Sequence, residues 1–126
     1  MSRKQVYNRV KEVFRKLRKH NLVCRMNHLC CMTCASHDLG IKCDERGKDG
    51  AVYFHNQDYD SFWNGYYGRD AELHIRYFVN KDDATDTESA ALGHLIHETL
   101  VVEGLTVEWS GDPGKTIVVK VLETEK

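Results

Sequence analysis

Six residues able to ligate a metal or attack an electrophile fall within sixteen positions: His28, Cys30, Cys31, Cys34, His37 and Cys43. Cys31 and Cys34 make a C-x-x-C. On a helix or a tight knuckle this spacing puts both sulfurs on one side, as tetrahedral Zn²⁺ requires. Thiolates suit zinc because it is borderline-soft and redox-inert. Zinc signatures with two well-spaced pairs are the strong ones, and only one pair is clean here. The expected centre is Cys30, Cys31 and Cys34 completed by the distant His55, with His28, His37 and Cys43 as alternate ligands. Two competing readings stay open. Free cysteine is among the most buried residue types, so the segment also fits a core-facing helix. A thiol at a helix N-terminus would instead be reactive.

A second group lies in the run Val52-Tyr53-Phe54-His55-Asn56-Gln57-Asp58. His55, Gln57 and Asp58 offer a base, an amide and a carboxylate within four positions. An enzyme built on this chain would use Cys31 as nucleophile, His55 as base and Asp58 to orient it. The preferred reading is that the segment is not catalytic, because Asn and Asp after a strand commonly bond their own backbone to make a turn. Tyr59, Phe62, Trp63, Tyr66, Tyr67 and Arg69 follow, in what reads as a glycine-bearing loop over residues 56–70. Aromatics give large contact area at little entropy cost, so residues 59–69 are expected to contact a protein partner or a second copy, with Gln57, Asp58 and Trp109 adding to that binding surface. Nucleic-acid stacking is a weaker alternative, since this stretch is not basic. His94 and His97 stand i, i+3, not in the H-E-x-x-H spacing of a metalloprotease, and read as polar residues at a helix border.

The elements that must position these groups follow from periodicity. Residues 3–20 read as an amphipathic helix, with Val6, Val10, Val13 and Leu17 on one side. Residues 1–28 hold nine Lys/Arg against the single acid Glu12, and the remainder holds nine against eighteen acids. The basic helix is thus either a solvated complement to an acidic body, which is preferred, or a contact for an anionic partner such as nucleic acid. A second helix is expected from residue 29, ending near Gly40, then a short strand at 51–55. Residues 72–79 are the clearest strand, with Leu73, Ile75, Tyr77 and Val79 on one face. Residues 87–103 read as a helix capped by Asp86 or Thr87, its apolar face including Ala91, Leu92, Leu95, Ile96 and Val102. Strands at 105–110 and 116–122 flank a Pro-Gly turn. The expected fold is α+β in the order ααββαββ: a mostly antiparallel sheet of about four strands with helices packed on it.

At 126 residues, with 41 % hydrophobic and 29 % charged residues, the chain fits one domain over 1–126 with one core. No apolar run reaches membrane-spanning length. The first residues, MSRKQVYNRVKEVF, carry no apolar h-region, so a cytoplasmic location is expected, or a host cytoplasm if the source is viral. There cysteines are thiols or metal ligands, and five is an odd number for a paired framework.

Taken in order, Cys30-Cys31-x-x-Cys34, V-Y-F-H-N-Q-D at 52–58, L-H-I-R-Y at 73–77, Gly93, G-L-T-V-E-W at 104–109 and Ile117-Val118-Val119 resemble a family of uncharacterised small bacterial domains. The resemblance covers a core at 24–122 and leaves 1–22 as an added basic helix. It implies that the cysteine cluster, the F-H-x-Q-D segment and the G-L-x-V-x-W hairpin belong to one shared design, and it implies no activity. The chain departs from the family at Ser110, where an acid is usual, and at Ala35, where a glycine is usual. Its loop at 59–71 is longer and more aromatic. The resulting expectation is an intracellular binding or regulatory domain with a Cys/His centre, with Zn²⁺ as the one cofactor considered.

Overall fold

The computed structural model describes residues 1–65 and 71–121. Its elements run α1 (Arg3–Leu17), β1 (Leu22–Arg25), α2 (Met32–Arg46), β2 (Gly50–Tyr53), α3 (Asn56–Asn64), β3 (Glu72–Val79), α4 (Asp86–Val102), β4 (Thr106–Glu108) and β5 (Ile117–Lys120). The strands form one sheet in the order β1-β2-β3-β5-β4. Among the described residues only β1 and β2 are parallel, and the other three pairings are antiparallel. The α+β class and mostly antiparallel sheet are as expected, with one strand more than the four anticipated. No helix among the described residues is long and apolar enough to cross a membrane.

Alternation along the strands divides the interior in two. Leu22, Cys24, Val52, Phe54, Leu73, Ile75, Ile117 and Val119 face the main core, with Val10, Phe14 and Leu17 of α1, Phe62 of α3, and Ile96 and Leu100 of α4. Val23, Ala51 and Tyr53 point to the other face and pack under Ala35, Leu39 and Cys43 of α2, with Phe78 beside them. The β1–β2 end of the sheet is therefore covered on both sides, and among the described residues α2 supplies the helical cover of the second.

Several boundaries differ from the sequence reading. Helix α2 passes through Gly40 and stops at Gly47, whose φ of 63° is left-handed. Leu39 and Cys43, one turn apart and both fully buried, anchor the helix on either side of Gly40, and that packing outweighs the roughly 1 kcal/mol helix penalty of a glycine. Helix α4 is capped by Thr85 rather than Asp86 or Thr87. The Thr85 hydroxyl accepts from the Glu88 N–H, and the Glu88 carboxylate returns to the Thr85 N–H. At its far end Val102 is 81 % exposed and lies outside the apolar face assigned to it. The basic face of α1 is partly consumed inside the molecule: Arg9 donates to the Glu103 carbonyl and Lys16 pairs with the Glu103 carboxylate at 2.8 Å.

Gly93 marks a close approach between α4 and the hairpin. A Cβ there would lie 2.6 Å from Cη2 and Cζ2 of Trp109 and 3.1 Å from the Tyr77 hydroxyl. Trp109 is held in that position by edge contacts with Tyr77 and His94, and its indole N–H donates to the Asp112 carbonyl. Gly93→Ala must displace the indole, and it is expected to cost about 1–3 kcal/mol. Denaturant unfolding with Trp fluorescence checks this, and an unchanged midpoint would refute it.

Candidate functional site

The cysteine segment is positioned by the end of the parallel pair. Beyond the β1–β2 register the chain continues to bond across: the His28 N–H donates to the Phe54 carbonyl at 2.9 Å, and the Asn56 N–H donates to the Leu29 carbonyl at 2.8 Å. The segment thus docks on both flanks of His55. Asn27 (φ 51°) and Leu29 (φ 61°) are left-handed, tolerable for Asn and costly for Leu. These two residues reverse the chain between β1 and α2. Cys31, with φ −155° and ψ 174°, is the N-cap of α2, and Cys34 sits in its first turn.

This path gathers three thiols. The sulfurs of Cys30, Cys31 and Cys34 all lie within 4.8 Å of one another, at the surface, and Cys30 and Cys31 are 3.7 Å apart. Zn–S bonds of about 2.3 Å in a tetrahedron give a sulfur–sulfur edge of about 3.8 Å, so this spacing fits a shared ion. Among the described residues, no fourth His, Cys, Asp or Glu joins the three within that distance.

The environment favours thiolate at Cys31 and opposes it at Cys34. Cys31 makes no side-chain capping bond of full geometry, yet the Cys34 backbone N–H is near enough to hold its pKa below the ordinary value, helped by the neighbouring thiols. The thiols of Cys30 and Cys31 push Cys34 up to about 11, since a crowded trio resists a second and third negative charge.

The other expected ligands are engaged elsewhere. His28 Nε2 lies 2.7 Å from Asp38 Oδ2, and that contact holds the Asp38 carboxyl below its usual value. His37 is exposed on α2. Cys43 is buried and its thiol faces the Gly50 carbonyl at 3.4 Å. His55 is 2 % exposed and does not join the thiol cluster. Its Nδ1 accepts from the Asp58 N–H while Asp58 Oδ2 accepts from the His55 N–H, a reciprocal cap for α3. Asp58 is also held by Arg76 through Nε–Oδ2 at 2.8 Å and Nη2–Oδ1 at 3.1 Å.

The aromatic segment is largely helical, which corrects its reading as a loop. Tyr59, Phe62 and Trp63 stand i, i+3, i+4 on α3. Phe62 is fully buried, and Tyr59 and Trp63 are half-buried around Tyr7 with ring centroids 5.8 and 5.7 Å away. Gln57 is exposed and Trp109 half-buried. Tyr66, Tyr67 and Arg69 lie outside the described residues.

Sequence reasoning passed over Leu29, Met32 and Arg76. Leu29 and Met32 flank the thiols and are 42 % and 51 % exposed. Arg76 binds Asp58, and its Nη1 lies 3.8 Å from the Met32 sulfur. Met32, Tyr53, Arg76, Tyr77 and residues 113–116 line a shallow cleft of about 130 Å³ beside the cysteines. An apolar pair left outside while the core is full was the available signal for Leu29 and Met32.

The five cysteines fall into two classes by exposure: Cys30, Cys31 and Cys34 reach solvent, and Cys24 and Cys43 are buried. Burial pushes Cys24 up to about 11 and raises Cys43 as well. A short native-state alkylation is expected to label Cys30, Cys31 and Cys34 and to spare Cys24 and Cys43. Peptide mass mapping reads this, and equal labelling of the buried pair would contradict the assignment.

The chain belongs to the family described as a domain of unknown function, DUF6891, whose model matches residues 2–126. That match takes in α1 as well as the expected core. No curated protein and no solved structure matches the chain.

Proposed function

We propose that this chain is a small metal-binding domain in which Cys30, Cys31 and Cys34 hold one thiophilic ion, Zn²⁺ in the first instance, at the molecular surface. The observation that carries the reading is the convergence of three sulfurs within 4.8 Å at the start of α2, outside both cores. Three thiolates leave one tetrahedral position for a ligand from outside, as in zinc sites that are not closed. The exposed Leu29 and Met32 beside the thiols give a partner an apolar footing next to that position, so the domain acts as a binding or regulatory module whose partner completes the metal's shell. The ion would also tie the strained turn at residues 27–31 to α2.

Each thiolate formed releases a proton, so metal affinity rises with pH through the neutral range. The test is metal content after purification in reducing, non-chelating buffer, with Co²⁺ substitution read by the thiolate-to-cobalt charge-transfer band. One ion per chain, and a lowered melting temperature in chelator, are expected. An absent band, with chelator leaving stability unchanged, would overturn the reading.

A further inference from the structure

We propose that Cys31 and Cys34 are a reversible dithiol–disulfide pair that exchanges with small soluble disulfides, and that closing the bond dismantles the metal centre; only the second part rests on the metal reading above. All five cysteines are free thiols. Cys24 and Cys43 cannot take part, because both are fully buried and belong to the cores on opposite faces of the sheet. The three remaining sulfurs are already within 4.8 Å of one another at the surface, so a soluble disulfide reaches them without unfolding.

Disulfide geometry selects the pair. A bridge needs Cα atoms about 4.4–6.8 Å apart. Cys30 and Cys31 are adjacent, which fixes their Cα separation near 3.8 Å, outside that range. Their sulfurs, 3.7 Å apart, are in contact and not bonded. Cys31 and Cys34 are the N-cap and the third residue of the first turn of α2, and positions three apart on a helix bring their Cβ atoms to about 5–6 Å. Closing the bond takes a modest backbone adjustment at the extended N-cap, which brings the Cβ atoms to the roughly 3.5–4.5 Å a bridge needs, together with rotation of the two side chains. Cys30 lies before the extended N-cap residue, outside the turn that sets the Cys31–Cys34 spacing, and is assigned as the odd thiol.

The exchange balances without a further reactant. One thiolate of the pair attacks a sulfur of the soluble disulfide. That S–S bond breaks, a mixed disulfide forms, and the leaving thiolate takes up the proton given up by the attacking thiol. The second cysteine, once deprotonated, attacks the protein sulfur of the mixed disulfide and expels the second thiolate, which takes the second proton. Two cysteine thiols are oxidised by two electrons and one disulfide is reduced to two thiols. Two of the three metal ligands are then spent in an S–S bond, and Cys30 alone cannot hold the ion.

Metal-free protein equilibrated with oxidised and reduced glutathione tests the pair directly. The expected product is lighter by two hydrogens, carries a Cys31–Cys34 cross-link on peptide mapping, leaves Cys30 alkylatable and reverts with dithiothreitol. Cys30→Ser should behave the same, and Cys34→Ser should halt as a glutathione adduct. A cross-link through Cys30, or stable glutathione adducts of unmutated protein with no cross-link, would overturn the proposal. Co²⁺ added to the reduced and oxidised samples separates the two readings. The reduced sample should bind and the oxidised one should not. If the reduced sample binds no metal while the cross-link forms, the metal reading alone fails; if the reduced sample binds and no cross-link forms, the redox pair alone fails.

Discussion

Cys31→Ser is expected to weaken Zn²⁺ binding by roughly 100- to 1000-fold while leaving the metal-free fold as stable as before, or slightly more so. Structural zinc sites contribute about 10–16 kcal/mol, so one ligand of four carries roughly 2.5–4 kcal/mol, which sets that range. The opposite sign in the metal-free protein follows from the place of Cys31 in the fold. It is the N-cap of α2 and makes no side-chain capping bond of its own, and serine is among the better capping residues, worth about 0.5–2 kcal/mol over a side chain that cannot cap. Cys43→Ser is the control. Cys43 sits within α2 facing the Gly50 carbonyl, away from the cluster, so its loss should leave metal affinity unchanged whatever it does to packing. Competition titration against a chromophoric chelator, alongside denaturant unfolding of the metal-free variants, reads both effects. Equal metal affinity in Cys31→Ser and unmutated protein would contradict the ligand assignment.

Asp58→Ala is expected to cost about 3 kcal/mol of folding stability, a large share of the 5–15 kcal/mol a domain of this size has available. The Asp58 side chain is fully buried and that of Arg76 is only 19 % exposed. Removing the carboxylate strands the guanidinium with two unmatched donors and also takes the partner from the His55 N–H that opens α3. Replacing both residues, Asp58→Leu with Arg76→Met, should recover much of the loss, because apolar pairs of similar volume substitute well for buried ion pairs. A double-mutant cycle in urea measures the coupling. A loss within about 0.5 kcal/mol for the single variant, the range of ordinary surface substitutions, would show that the pair does not hold β3 to α3.

The long periodic pieces were legible in the sequence because their burial repeats. Val6, Val10, Val13 and Leu17 mark α1, and the alternation of Leu73 and Ile75 with their outward neighbours marks β3. Strand β1 was missed because Leu22–Arg25 is four residues long and follows a left-handed Asn21, leaving no alternation to read. Helix α3 was missed because histidine is an unusual N-cap. The H-x-x-D spacing and Tyr59, Phe62, Trp63 at i, i+3, i+4 carried the helical signal beneath a composition that suits a loop. The thiol cluster was half legible. Cys31 and Cys34 meet because a C-x-x-C at a helix start must bring its sulfurs close, which is local geometry. Cys30 joins them only because Asn27 and Leu29 turn left-handed, and that turn is enforced by backbone bonds to Phe54 and Asn56, some 26 to 27 residues further along the chain. The same bonds place the segment beside His55 without bringing the imidazole into the cluster, a distinction that spacing alone does not carry.

X-ray absorption at the zinc edge, on protein loaded with one equivalent of Zn²⁺, addresses the metal centre at the level of its bonds. Three sulfur scatterers at about 2.3 Å with one lighter neighbour are predicted, falling to two sulfurs in Cys34→Ser. A first shell of nitrogen and oxygen alone would mean that the thiols at the start of α2 meet without holding a metal, and the account of this domain would be wrong.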